Sequence, residues 1–282
     1  MRTEDEMMHL ILSCANTDDR IRVVGMEGSR TNKSIASDHF QDYDITYLVT
    51  DMKPFVENEK WLDVFGERIF MQKPENMSLY PPELGNWFSY LMLFEDGNRI
   101  DLTIVPISEL DLYLSSESLL EVLLDKDGLV KEELTPSDIS YYVEKPTAQI
   151  FDDCCNEFWW VSTYVAKGIC RQQFLYAAEH LNKILRKELY RMLEWRIGVE
   201  HNFSINIGKS YKYLEKYLSE DLWKQILATY EMHSYEKMWE ALSDLQNIFR
   251  KISMEVAEKM SFVYPEYDKN ITNYINSLCK KY

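Results

Sequence analysis

The chain has 282 residues, 46% of them apolar and 13% aromatic, and its 47 acidic and 31 basic residues give a net charge of −16. This composition excludes global disorder, and it suits a cationic partner better than nucleic acid, whose phosphates require lysine and arginine. The charge also fits a role in solubility alone. No stretch approaches the roughly 20 apolar residues of a membrane span.

The N-terminus is too acidic and polar for a secretory signal. The five cysteines form no metal-ligand spacing and leave one unpaired, which favours reduced thiols. We therefore expect a cytoplasmic protein with no membrane or nucleic-acid partner, and a monomer by default.

The first half of the chain reads as mixed α and β structure. Apolar periodicity and turn residues predict elements in the following order. They are a helix over 3–16, strands over 20–26 and 43–50, a helix over 56–65, a short apolar stretch over 68–71, a hairpin over 87–106 and a helix over 108–124.

The second half is almost wholly helical in pattern. The predicted helices cover 151–167, 171–197, 209–218, 220–230, 234–260 and 267–280. The expected architecture is α+β: a mixed β-sheet domain with flanking helices over residues 1–145, followed by an α-helical bundle over 146–282.

Two carboxylates, Asp42 and Asp44, stand at the start of the second strand. Residues i and i+2 of a strand point to the same face, so these side chains require a positive group, either a basic side chain or a metal ion. In one interpretation Asp42 caps a turn and Asp44 pairs with Arg30 or Arg99.

Asp101 supplies a third carboxylate, within an otherwise apolar strand. It is either a charge on an edge strand that faces water or, if its strand lies next to the strand of Asp42 and Asp44, one of three carboxylates that together suit Mg²⁺. Gly28 and Ser29 form a turn after the first strand, where backbone amides and the hydroxyl can approach a phosphate. Together these features describe a Mg²⁺–nucleotide pocket.

A resemblance to a known family extends beyond these residues. The Gly-Ser turn, the Asp-x-Asp strand and the later carboxylate resemble the polymerase-β type nucleotidyltransferases. The stretches "EGSRTN", "FQDYDITYLV", "PPELGNWFSYLMLFEDGNRIDLTIVPI" and "FDDCCNEFWWVSTYVAKG" resemble the bacterial aminoglycoside 6-adenylyltransferases, also called streptomycin adenylyltransferases. The similarity covers essentially the whole chain.

The resemblance implies an N-terminal nucleotidyltransferase domain and a helical substrate-binding domain. It implies transfer of AMP from Mg-ATP to the 6-hydroxyl of streptomycin with release of pyrophosphate. Asp42 and Asp44 would then bind Mg²⁺, and Asp101 would be a further metal ligand or the general base. Gly28 and Ser29 would hold the β- and γ-phosphates, and Arg30 would be an ion-pair partner or a further phosphate contact.

Substrate contacts are expected at the start of the helical domain. Streptomycin is cationic, so its site needs carboxylates and aromatic faces. The candidates are Asp152, Asp153, Glu157, Trp159 and Trp160; the acids equally suit a helix N-terminus, and the tryptophans equally suit packing.

Lys209 and Tyr230 are candidates for the ATP phosphates, by similarity to the related streptomycin 3″-adenylyltransferases. Lys209 also fits a solvated lysine at a helix start. Two other functions remain open: a nucleotidyltransferase of the same fold that acts on RNA or protein, and an inactive nucleotide sensor.

Overall fold

A computed structural model describes residues 1–131 and 134–279 of the chain. The chain divides into two compact units between Ser140 and Tyr141. The sequence predicted this division a few residues later, between residues 145 and 146. None of the helices in the described ranges is long and apolar enough to span a membrane.

The first unit is built on a six-stranded sheet with the order β3-β4-β5-β2-β1-β6. The strands are β1 (Ile21–Glu27), β2 (Tyr43–Val49), β3 (Arg68–Gln72), β4 (Phe88–Phe94), β5 (Arg99–Pro106) and β6 (Leu120–Asp125). Its helices are α1 (Glu4–Thr17), α2 (Lys53–Glu57) and α3 (Leu110–Ser116).

The parallel pairing of β2 with β5 positions the site, because it brings the beginnings of both strands to the same edge of the sheet. The other neighbouring strands are antiparallel. One face of the sheet packs on α1, whose Met7 and Ile11 are fully buried. The other face packs on α3 through Tyr113.

The predicted helix over 108–124 is wrong in its second half. Helix α3 ends at Ser116, and the apolar residues that follow form strand β6, antiparallel to β1. A short apolar run fits a helix or a strand equally well when read alone. The edge of β1 decides the outcome, because pairing there satisfies the backbone groups of both strands.

The second unit is helical. Its helices are α4 (Ala148–Cys170), α5 (Phe174–His180), α6 (Arg186–Glu200), α7 (Glu220–Ala228), α8 (Tyr235–Met260) and α9 (Tyr267–Cys279), with a π-helical segment, Leu181–Leu185, between α5 and α6. The core includes stacked rings of Phe158 and Phe249, whose centroids lie 3.7 Å apart. Cys154 and Cys155 are buried free thiols in this core.

The predicted helix over 209–218 is replaced by two 3-10 turns, Lys209–Tyr211 and Leu214–Tyr217. Ser210 and Tyr211 have φ values of 56° and 65°, in the left-handed region that side chains other than glycine rarely adopt. A regular helix cannot continue through two such residues.

Candidate active site

Three carboxylate residues form a row across the sheet on the face that packs against α3. Asp44 of β2 is the register partner of Asp101 in β5 and of Glu27 in β1. Register partners on neighbouring strands point to the same face. The structure therefore brings Asp44 and Asp101 together as the sequence predicted, and adds Glu27 to them.

Arg99 lies between two of the predicted site residues. Its guanidinium donates two hydrogen bonds of 2.7 Å to the carboxylate of Asp101 and lies 3.4 Å from Oδ2 of Asp42. The hydrogen bonds with Asp101 raise the pKa of Arg99. Burial raises the pKa of Asp42, and the charge of Arg99 partly offsets this effect. The guanidinium of Arg99 thus lies between Asp42 and Asp101, whereas the sequence predicted a positive group between Asp42 and Asp44.

Arg30 holds the chain segment that leads into β2. It donates to the backbone carbonyls of Gln41 (2.8 Å) and Asp42 (3.0 Å), and its guanidinium lies 3.7 Å from the centroid of the Tyr43 ring. Its side chain is only 8% exposed, and it lies 3.4 Å from Glu4. This placement gives Arg30 an ion-pair partner and makes it fix the backbone at Asp42.

The turn at Gly28 and Ser29 passes close to Asp44. Gly28 has a φ of +75°, and a Cβ atom there would lie 2.5 Å from Oδ2 of Asp44. A glycine is therefore required both by the backbone conformation and by the approach of the carboxylate. The Gly28 amide donates to the carbonyl of Leu119 at 3.0 Å, so that amide serves the fold instead of a phosphate.

Glu27 was not predicted from the sequence as a site residue. Burial raises its pKa to about 7, although hydrogen bonds with Tyr113 and Thr46 oppose the shift. A Cβ atom on Gly25 would lie 1.6 Å from the hydroxyl oxygen of Tyr113, so this glycine makes room for the tyrosine to reach Glu27. The sequence signal was an acid at the end of an apolar strand, directly before the Gly-Ser turn.

The acids at the ends of β1, β2 and β5 are the groups that could hold a metal ion. Within residues 1–131 and 134–279, no three His, Cys, Asp or Glu side chains are already arranged as a metal site. The donor set nevertheless fits a hard cation, because Asp42 and Asp101 share one guanidinium and Asp44 is the register partner of Asp101.

The predicted substrate residues lie on different sides of α4. Asp153 and Glu157 are exposed, and Asp153 accepts a hydrogen bond of 2.8 Å from Gln149. Asp152 instead accepts one of 3.2 Å from the hydroxyl of Tyr267 in α9. Asp152 thus connects two helices, whereas Asp153 and Glu157 face solvent.

Of the two adjacent tryptophans in α4, one is buried and the other is exposed. Trp159 is fully buried and packs edge-on against Phe158, so its ring has no free face for a ligand. Trp160 is 57% exposed and donates a hydrogen bond to the hydroxyl of Tyr164. The structure therefore opposes a ligand contact by Trp159 and leaves Trp160 available.

Lys209 and Tyr230 both lie at the surface of the helical unit. Lys209 follows Gly208 at the rim of a cavity of about 430 Å³. Tyr230 is 51% exposed, its hydroxyl hydrogen-bonds with that of Tyr190, and the guanidinium of Arg186 lies 3.6 Å from its ring centroid.

Comparison with known proteins identifies the family. The model of the streptomycin adenylyltransferase family matches residues 1–278. The chain belongs to this family. The resemblance seen in the sequence is confirmed, and the protein is an enzyme, a nucleotidyltransferase.

This streptomycin adenylyltransferase family member is similar to three curated proteins named aminoglycoside 6-adenylyltransferase. The protein from Bacillus subtilis is 50% identical over 99% of this chain and 98% of its own length. Those from Campylobacter jejuni and Staphylococcus aureus are 49% and 44% identical, over 100% and 98% of this chain and 98% and 99% of their own lengths. A crystal structure of an aminoglycoside 6-adenyltransferase from Bacillus subtilis is 46% identical, with a TM-score of 0.50 and 99% of each chain covered.

Proposed function

We propose that this enzyme transfers AMP from Mg-ATP to the 6-hydroxyl of streptomycin and releases pyrophosphate. The main support is the group of carboxylates, Asp42, Asp44 and Asp101, at one edge of the sheet beside the Gly28 turn. The names of the similar proteins support the acceptor class and the position that is modified.

Each carboxylate has a role in this proposal. Asp42 and Asp44 would hold Mg²⁺, and the bound ion would neutralise the charge that develops on the phosphoryl oxygens. Asp101 would accept the proton of the attacking hydroxyl, or help to hold the metal. A carboxylate is a weak base at neutral pH, so its contribution depends on holding the hydroxyl in line with the α-phosphorus. Both oxygens of Asp101 accept a hydrogen bond from Arg99, so either role would use their remaining lone pairs or require Arg99 to move away.

The nucleotide phosphates would be contacted by the hydroxyl of Ser29 and by Lys209 and Tyr230. Lys209 is exposed at a cavity rim, so its charge is available to a phosphate. Arg30 acts indirectly in this proposal, by fixing the backbone at Asp42.

The cationic acceptor would use the exposed face of α4. Asp153, Glu157 and Trp160 follow one another at intervals of four and three residues, so they share one face of the helix. Two carboxylates and an exposed indole ring suit guanidinium groups. The net charge of −16 also favours the approach of such a substrate and disfavours nucleic acid.

A pyrophosphate-release assay tests the proposal. The purified protein is incubated with ATP and Mg²⁺, and streptomycin, kanamycin, tRNA or no acceptor is added in separate reactions. We expect release only with streptomycin, and mass spectrometry should show adenylylated drug. Release with tRNA, or AMP attached to a protein, would instead favour the other nucleotidyltransferase functions.

A further inference from the structure

The helical unit contains a cavity of about 430 Å³, within the size range of small-molecule sites. Its wall comes from residues 141–146, from Ile150 of α4, from α6 and from residues 206–209, all within the same unit. The phosphate role proposed for Lys209 accounts for only one position at its rim. The remaining lining is acidic and aromatic as well as basic.

Glu194 of α6 is the unusual group in this wall. Within the described ranges, its carboxylate has neither a hydrogen-bond donor nor an ion-pair partner, and burial raises its pKa to about 7. Arg191 also lines the cavity, and its charge partly offsets the rise in the pKa of Glu194, but its guanidinium forms an ion pair of 2.6 Å with the buried carboxylate of Glu188. Glu194 is only partly exposed, and a carboxylate that is partly withdrawn from water without a donor is unfavourable, so a ligand that supplies a donor would be stabilised there.

The neighbours of Glu194 indicate the chemistry of that donor. Trp195 and Tyr142 are aromatic residues that line the cavity, and Glu144 adds a second carboxylate, which is exposed. Acidic oxygens beside aromatic faces suit a positively charged nitrogen. Lys145 also lines the cavity, but its side chain is exposed and can extend towards solvent.

The cavity is next to the face of α4 that is proposed above to bind the aminoglycoside. Ile150 lines the cavity and is 48% exposed. Asp153 and Glu157 lie three and seven residues further along α4, on the same face of the helix. A polycationic ligand could therefore occupy the cavity and extend along this face.

We infer that Glu194 binds a positively charged nitrogen of the aminoglycoside inside this cavity and is a specificity-determining residue of the enzyme. The inference rests on the proposed function, because the aminoglycoside is the cation that the reaction brings to the protein. Glu194 acts through its charge and its hydrogen-bond acceptors, so an amide of the same shape loses the interaction.

The test compares Glu194→Gln with Glu194→Asp and with Glu200→Gln in the full chain. Glu200 lies on the same helix, pairs with Arg196 and does not line the cavity. Steady-state kinetics with streptomycin and ATP are measured, and streptomycin binding is measured separately by calorimetry with Mg²⁺ and a non-hydrolysable ATP analogue. Glu194→Gln should raise the KM and Kd for streptomycin by about tenfold to a hundredfold, with kcat and the KM for ATP within about threefold of wild type.

The controls separate a lost contact from damaged structure. Glu194→Asp keeps the charge and should recover part of the affinity, and Glu200→Gln should match the wild type. Unchanged streptomycin affinity in Glu194→Gln overturns the inference alone, as does an increase confined to the KM for ATP. A wild-type protein that neither binds nor modifies streptomycin overturns the proposed function and the inference with it.

Discussion

Asp44 and Asp101 are register partners on the parallel strands β2 and β5, and their carboxylates lie on the same face of the sheet. The two residues are 57 positions apart in the chain. Asp44 and Asp101 are neighbours only because strands β2 and β5 pair in the sheet. Their common edge also carries Asp42 and Arg99, so one change there alters the charge around several carboxylates at once.

Replacing Asp42, Asp44 or Asp101 should impair turnover, and the effect on ATP binding should distinguish Asp101 from the other two. We expect Asp42→Asn and Asp44→Asn to eliminate measurable activity, because each loses a proposed Mg²⁺ ligand. Asp101→Asn should lower kcat by at least about a hundredfold while ATP binding, measured by calorimetry, is retained. Asp51→Asn is the control, since Asp51 is exposed beyond the other end of β2, where it accepts a hydrogen bond from the amide of Lys53. Normal rates in Asp101→Asn would exclude its role as a base.

Replacing Arg99 should make the protein more dependent on Mg²⁺. In Arg99→Gln the carboxylates of Asp42 and Asp101 lose their shared counter-charge, so we expect a loss of about 1 kcal/mol of stability in EDTA. Mg²⁺ should then raise the melting temperature of Arg99→Gln more than that of the wild type. Arg22→Gln, which removes an ion pair with Asp127, is the control and should respond to Mg²⁺ as the wild type does. An equal response in both variants would argue against a cation site between these acids.

Alanine at Gly28 should disturb the site, whereas alanine at Gly128 should not. Both glycines have positive φ, so each substitution should cost about 1 kcal/mol of stability through backbone strain. Only at Gly28 does the new Cβ meet a site residue, 2.5 Å from Asp44, whereas nothing lies within 4 Å at Gly128. We expect Gly28→Ala to lose more than about tenfold in kcat and Gly128→Ala to keep it. Equal activity in the two variants would contradict the close approach.

Glu157→Gln tests the acceptor face of α4. Loss of an exposed carboxylate from a cation site should raise the KM for streptomycin by roughly threefold to tenfold, with little change in the KM for ATP. Glu258→Gln, an exposed acid on α8, should change neither value. Equal effects on both substrates would remove Glu157 from the acceptor site.

The stability of the helical unit should depend on the ionisation of Asp268. Burial alone would raise the pKa of this carboxyl, but hydrogen bonds from Arg250, Tyr264 and Thr272 hold it below its ordinary value. A lowered pKa in the folded state means that the contribution to stability is present above the ordinary carboxyl pKa and is lost as pH falls through the folded value.

We therefore expect Asp268→Asn to lose about 3 kcal/mol at pH 7, because it breaks a buried ion pair. The difference from wild type should shrink as pH falls below about 4. Urea unfolding at several pH values measures it, with Glu258→Gln as the control. A difference that stays constant with pH would show that the charge of Asp268 is not what stabilises α9.

Local patterns in the sequence predicted much of the fold and of the site. The Asp-x-Asp strand, the hairpin that carries Asp101 and the long helices all follow from apolar periodicity, turn residues and caps, which act between residues close in the chain. The resemblance added the family, which the comparisons confirm. The predicted roles of individual residues remain proposals.

Other features depended on contacts between distant segments. The local sequence of the apolar run that forms β6 did not distinguish a strand from a helix. Its strand conformation depends on pairing with the edge of β1. Trp159 and Trp160 are chemically the same and adjacent, yet packing buries the first and exposes the second. Glu194 had no distinguishing pattern, because the role inferred for it depends on a cavity wall that four separate segments build.

The sequence by itself determined which acids and turns this chain possesses and where most of its long helices lie, since hydrogen bonding and side-chain periodicity within a segment fix those. The tertiary structure decided which of these groups are neighbours: Asp44 beside Asp101, Arg99 between Asp42 and Asp101, and Glu27 in the same row. The reason is that burial, charge pairing and strand pairing act through space, and folding alone brings these residues close enough to interact.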